Sequence, residues 1–134
     1  MHITGACHCG AIRYEADIDP AKIRVCHCRD CQTFSGGAFR VSVRAKPGSL
    51  RVLRGTPRVY TKTAESGNHS DQELCEQCGT HLFGIVPGSE PKICSVRVGT
   101  IDQRDQLRPA TQIWTRSRLP WVTEIDALPG NETQ

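Results

Sequence analysis

Apolar and polar residues alternate strictly along Phe39-Arg-Val-Ser-Val-Arg-Ala45. The alternation predicts a half-buried β-strand with Phe39, Val41, Val43 and Ala45 on one face and Arg40, Ser42 and Arg44 on the other. Shorter strand signals recur at Ile12 to Ala16, Ile23 to Cys26, Leu50 to Leu53, Arg58 to Thr61, Leu82 to Val86 and Ile93 to Val98. Turn residues separate them, notably Pro47-Gly48, Gly55-Thr-Pro57, Pro87-Gly88 and Pro91. No stretch keeps a helical period, and a short turn around Cys31 to Phe34 is the one helical expectation. The chain therefore reads as mainly β with few or short helices. With no repeat, linker or low-complexity tract, residues 1–134 read as a single domain whose last residues, Pro129 to Gln134, form a frayed end.

Composition adds a difficulty and its solution. Hydrophobic residues make up 37% of the chain and aromatic residues 5%, a lean supply for a fold held by burial alone. Eight cysteines are the obvious supplement. The opening MHITGACHCG has neither the basic start nor the apolar run of a secretory signal. The longest apolar stretches, such as Leu82 to Val86, are far too short for a membrane span. The expectation is a cytoplasmic chain without a membrane role, in which cysteines stay reduced. Reduced cysteines in close pairs read as metal ligands rather than disulfides. The formal charge of +3 treats every cysteine as neutral. Seven thiolates around two Zn²⁺ remove three charges and bring the total to zero, so the count gives no support to nucleic acid as a partner.

Three clusters carry the chemistry: Cys7-His8-Cys9-Gly10, Cys26-His-Cys-Arg-Asp-Cys31 and Cys75-Glu-Gln-Cys-Gly79. In an extended chain, residues two apart share a side and lie roughly 6.6 Å apart along the strand. Sulfurs on one tetrahedral Zn²⁺, each about 2.3 Å from the ion, must sit roughly 3.8 Å from one another, a gap that inward-leaning side chains close. A CxC strand thus offers two ligands to one ion. A CxxC turn offers two more, with glycine after the second cysteine easing the turn. Cys7 and Cys9 joined to Cys75 and Cys78 make a closed four-cysteine site of the kind that stabilises a fold.

The central cluster fuses both spacings and supplies three thiolates by itself, Cys26, Cys28 and Cys31, leaving a fourth position open in the pattern of catalytic zinc. His27 lies between two ligands that share a face and so points away from them. Cys94, in Ile93-Cys-Ser-Val-Arg-Val98, shares a face with Val96 and Val98 and reads first as a small core residue. Its other readings are a fourth ligand or a redox thiol. Spacing alone does not assign the pairs. Cys7 and Cys9 could join Cys26 and Cys28 instead, leaving Cys31, Cys75 and Cys78 elsewhere.

Four motifs then appear in one order: Gly5-Ala-Cys-His-Cys-Gly-Ala-Ile-Arg-Tyr14, the Cys26 to Cys31 run followed by Ser35-Gly-Gly37, Cys75-Glu-Gln-Cys-Gly-Thr-His-Leu-Phe83, and Ile113-Trp-Thr-Arg-Ser-Arg-Leu-Pro-Trp121. From about Gly5 to Trp121 the sequence resembles the glutathione-dependent formaldehyde-activating enzyme family, which includes the centromere protein V domain. The resemblance implies a β-tent fold stabilised by zinc. It implies Cys7, Cys9, Cys75 and Cys78 as a structural zinc site and Cys26, Cys28 and Cys31 as a catalytic one. It also implies a carbon–sulfur lyase, or S-(hydroxymethyl)glutathione synthase, that joins a glutathione thiol to a small aldehyde such as formaldehyde or releases it. The family pattern has no equivalent of Cys94, and its late motif often carries a histidine where this chain has Gln112.

Glutathione has two carboxylates, for which Arg116, Arg118, Arg40 and Arg44 are candidate partners, although each arginine by default reads as a solvated surface residue. Trp114 and Trp121 read as core anchors before pocket walls. His81 reads as packing beside the CxxC turn; His69 has no assignable partner, and His2 and His8 read as exposed. The partners are a small-molecule thiol and an aldehyde, with a homo-oligomer left open. Two other classes stay in view: a zinc-ribbon-like module binding protein or nucleic acid, and a thiol redox enzyme using Cys94.

Overall fold

A computed structural model describes residues 1–133 and is mainly β, as the alternation predicts. Ten strands run β1 (His2–Ala6), β2 (Arg13–Asp17), β3 (Arg24–Cys26), β4 (Arg40–Arg44), β5 (Arg51–Arg54), β6 (Arg58–Thr63), β7 (His69–Leu74), β8 (His81–Ile85), β9 (Cys94–Arg97) and β10 (Thr111–Ile113). One α-helix, α1 (Arg29–Ser35), extends the helical turn expected at Cys31 to Phe34. The rest of the helical content is 3₁₀ turn, the longest at Pro120–Ala127. Residues 129–133 are exposed and outside any helix or strand, and Gln134 of the expected frayed end lies outside the described residues. Among the described residues, no helix is long and apolar enough to cross a membrane.

The strands form a small sheet in the order β1-β2-β5 and a seven-stranded sheet in the order β10-β3-β4-β9-β8-β7-β6. Register explains how the larger sheet divides its faces, because directly paired residues share a side. Val43 pairs with Val96, Val96 with Phe83, and Cys94 with Ile85. All are buried and pack with Ile3, Tyr14, Ala16 and Ile101 in one core. Tyr14 meets Phe83 edge to face, ring centroids 4.9 Å apart.

The reverse face differs from the sequence expectation. Arg40 and Ser42, predicted to be the open side of a half-buried strand, are buried as well. Cys26 pairs with Arg40, Ser42 with Arg97, Ser95 with Gly84, and Gly84 with Gln72. Side chains from four strands, with Gly84 of β8 leaving space between them, thus share one face. This face builds the candidate site.

At Gly5, paired with Tyr14, an added Cβ would lie 2.3 Å from the Tyr14 ring and 2.5 Å from the Thr100 carbonyl oxygen. The tyrosine hydroxyl is itself fixed at 2.8 Å from Thr100 Oγ1. Gly5→Ala is therefore expected to cost about 2–3 kcal/mol through forced displacement of a core ring, measured as a lower midpoint in urea. A midpoint equal to the parent's would show that the ring yields freely.

Candidate metal centres and the cationic cavity

The two cysteine groups assemble as follows. Cys7 and Cys9 lie just after β1, where the Gly10 N–H donates to the Cys7 carbonyl at 3.0 Å and the Ile12 N–H to the Cys7 sulfur at 3.2 Å. Cys75 to Thr80 fold into the turn between β7 and β8, closed by the Gly79 N–H on the Cys75 carbonyl at 2.8 Å. Gly79 sits at φ 72°, a left-handed value that glycine takes without penalty. The sulfurs of Cys7, Cys9, Cys75 and Cys78 all lie within 4.8 Å of one another. Cys7 is 3.6 Å from Cys9, and Cys9 is 3.8 Å from Cys75. These are the separations required by four sulfurs around one tetrahedral ion, so the donor set fits a metal.

Cys26 ends β3, Cys28 caps α1 and Cys31 lies in its first turn. Cys28 combines two tasks, since its sulfur accepts the Cys31 N–H at 3.4 Å as a capping serine would. The three sulfurs again lie within 4.8 Å of one another, and no histidine, carboxylate or further cysteine among the described residues joins them. Gln32 Nε2 secures the turn by donating to the carbonyls of His27 at 2.7 Å and Ser117 at 2.9 Å.

Within each group the thiols differ in how readily they ionise. Hydrogen bonding from Cys31 holds the Cys26 thiol below its usual value, while the same contact, with burial second, pushes Cys31 up. Burial raises Cys28. One sulfur is thus readily ionised at the expense of its neighbours, because adjacent thiolates repel. A divalent ion removes that conflict. In the other group, the Thr80 hydroxyl 3.2 Å away leads the causes that hold Cys78 down to about 5.

The three-cysteine group opens into a cavity of about 310 Å³, and none of Cys7, Cys9, Cys75 or Cys78 lines it. Its walls include Arg24, Arg40, Arg44, Lys62 and Arg97, with Trp114 at one side. Among the described residues Trp114 is the one non-glycine residue at positive φ, 57°, a strained backbone value for a bulky side chain. Trp121 is half exposed and anchors no core.

Of the arginines considered from sequence, Arg40 is buried against the cavity and Arg44 lines it. Arg116 instead meets Glu65 and stacks over Trp114 at 4.9 Å from the ring centroid; Arg118 is absent from the cavity walls. Arg97 and Gln72 were not foreseen. The alternation around Cys94 holds the signal for Arg97: if Cys94, Val96 and Val98 face the core, Ser95 and Arg97 face the other way.

His27 turns away from the three sulfurs and is buried, with Nε2 2.8 Å from Gln112 Oε1. Gln112 therefore contacts His27, outside the cavity walls. His81 packs against the Phe34 ring at 5.2 Å, His69 reaches Thr63 Oγ1 at 3.2 Å, and His2 lies 3.2 Å from Asp17.

Cys94 is 1% exposed, and burial first, then Glu73, pushes its thiol up to about 12. Near neutral pH the thiol therefore stays protonated, the unreactive form. Cys94 is expected to resist iodoacetamide in the folded protein and to react only after denaturation, as peptide mapping would record. Prompt alkylation of the native chain would restore a redox role.

The sequence profile of the glutathione-dependent formaldehyde-activating enzyme family matches residues 2–117. The chain belongs to this family. A Halomonas elongata protein, whose name marks it as a provisional glutathione-dependent formaldehyde-activating enzyme, is 25% identical over 134 residues, covering 95% of this chain and 83% of its own. A Brucella anthropi protein named translation initiation factor IF-3 is 33% identical over 94 residues, covering 65% of this chain and 52% of its own. The fold is shared with the crystal structure of a Rhodobacter sphaeroides protein, at TM-score 0.61 and 23% identity over 81% of this chain and 98% of that one.

Proposed function

We propose that this family member is a zinc-dependent carbon–sulfur lyase that takes up a glutathione thiol at Cys26, Cys28 and Cys31 and joins it to, or releases it from, a small aldehyde. One observation carries the reading: three clustered sulfurs, with no fourth histidine, carboxylate or cysteine donor among the described residues, face a cationic cavity. Cys7, Cys9, Cys75 and Cys78, which stand apart from that cavity, are assigned to a structural zinc. A reducing compartment such as the cytoplasm suits both sites, since each needs its thiols free of disulfides.

When bound at the three cysteines, Zn²⁺ would lower the pKa of an exogenous thiol and hold it as a nucleophilic thiolate near neutral pH. The residues of the chain do the rest. Arg40 and Arg97 favour an anionic occupant by charge, while Gln32 fixes the turn that presents the sulfurs. In the forward direction the substrate sulfur forms a bond to the aldehyde carbon, and the proton lost from the thiol is replaced by one taken up at the carbonyl oxygen. The product is an S-hydroxymethyl adduct; cleavage runs the same steps backwards. Catalysis rests on positioning and charge, because formaldehyde adds to glutathione without help.

The translation-factor name belongs to a relative of which this chain matches about half, and it brings no nucleic-acid role here. The decisive experiment is exchange NMR on ¹³C-formaldehyde with glutathione. The protein is expected to speed interconversion of free and adduct forms well beyond the spontaneous rate. An exchange rate unchanged by stoichiometric protein would remove the enzymatic reading for this aldehyde.

A further inference from the structure

Arg40 and Arg97 are 7% and 9% exposed. Burying two guanidinium groups is costly unless each is compensated by an opposite charge or satisfied by hydrogen bonds. Neither forms an ion pair with a carboxylate among the described residues. Both donate to one neutral acceptor, Gln72 Oε1, Arg40 through Nη1 at 3.0 Å and Arg97 through Nη2 at 2.8 Å. Gln72 is held in turn by its Nε2 donating to Ser70 Oγ at 2.8 Å. Arg40 Nη2 and Arg97 Nε are left buried without a hydrogen-bond partner.

The strands fix this arrangement beside the sulfurs. Cys26 is directly opposite Arg40, and Ser42, two residues along, is opposite Arg97. Directly paired side chains begin about 5 Å apart at Cβ, so the guanidinium pair and the three-cysteine group share one wall of one cavity. Room for the pair is provided by Gly84, where an added Cβ would lie 2.6 Å from Arg97 Nη2.

Charge decides what the pair awaits. Three thiolates and a divalent ion sum to −1, and two arginines bring the local total to +1. An incoming thiolate cancels that, but with Lys62 paired to Asp30, Arg24, Arg29 and Arg44 on the same walls still outnumber Glu65. A second anionic group remains favoured. A carboxylate suits the pair, since guanidinium N–H groups match its two oxygens.

We infer that Arg40 and Arg97, braced by Gln72, form a carboxylate-binding subsite that selects thiols carrying an acid group close to the sulfur. This rests on the open-site, thiol-binding reading above and departs from it in the thiol, since both carboxylates of glutathione lie far along the tripeptide from its sulfur and a smaller acid thiol suits the pair better.

The test compares two small thiols on the zinc-loaded protein by calorimetry at pH 7, 3-mercaptopropionate with its carboxylate and 2-mercaptoethanol without. The acid is expected to bind about 10- to 100-fold more tightly, the range for a charge-assisted contact. Arg97→Gln should bring the ratio to within about threefold at unchanged metal content. If that variant fails to fold, Gly84→Ala displaces the guanidinium without altering charge and should erase the preference likewise. Equal affinities on the parent protein, or a variant that weakens both thiols by the same factor, would overturn the subsite and leave the arginines as counter-charges to the sulfurs. If neither thiol binds, the open-site reading fails. The subsite then stands only if propionate raises the melting temperature of the parent and not of Arg97→Gln.

Discussion

Cys75→Ser is expected to give a chain that aggregates on expression or melts far below the parent. Cys75 is 1% exposed, and its sulfur closes the group that ties the segment after β1 to the turn between β7 and β8. A structural zinc in such a setting contributes about 10–16 kcal/mol of binding free energy, while the net stability of a domain is about 5–15 kcal/mol. Even partial loss of the ion therefore consumes most of the margin, and the lean core offers little to replace it. Circular dichroism melting with metal analysis checks this. A cooperative melt within about 5 °C of the parent, which corresponds to roughly 1 kcal/mol at this size, would exclude a structural metal at these four residues.

Cys28→Ser should behave in the opposite way. Cys28 is half-buried at the N-cap of α1, where serine is among the best residues, so the helix start survives the exchange. The loss falls on the donor set, because two sulfurs and a weak hydroxyl hold zinc far less well than three thiolates. The variant is expected to melt within about 5 °C of the parent while carrying one metal equivalent fewer and showing at least a tenfold loss of glutathione affinity. Two equivalents of zinc together with unimpaired glutathione binding would dismiss the three-cysteine assignment. The pair of variants separates a metal that holds the fold from one that serves chemistry.

Most of the architecture was legible where one face is apolar and the other polar. Strands β2, β4, β8 and β9 stand within a residue or so of their expected positions because Tyr14, Val43, Phe83 and Val96 fill one core. The strands that escaped notice have physical excuses. Strand β7 reads His69-Ser-Asp-Gln-Glu-Leu74, and its buried member is Gln72, so no apolar alternation marks it. Strand β1 is interrupted by Gly5, whose missing side chain is what lets Tyr14 pack. Strand β10 has three residues and depends on its parallel pairing with β3.

The cysteine clusters were visible from spacing, but their partition was not, since it depends on bringing residues 7–9 against residues 75–78. The cationic wall was hidden for a related reason. An arginine on the polar side of a strand looks solvated until a neighbouring element covers that side, and Arg40 and Arg97 become site residues only once the sheet is assembled. Periodicity locates such residues on a face without saying what the face will meet.

The two cysteine groups also differ in how far apart along the chain their members lie. Cys9 and Cys75 are separated by 66 positions, whereas the other three fall within a six-residue run. Closing the longer loop costs about 2 kcal/mol more in chain entropy, and it must wait until both sheets have found each other. Assembly is therefore expected to run in an order, with the short run offering its three donors to a metal before the four-cysteine group closes as a clasp between the two sheets.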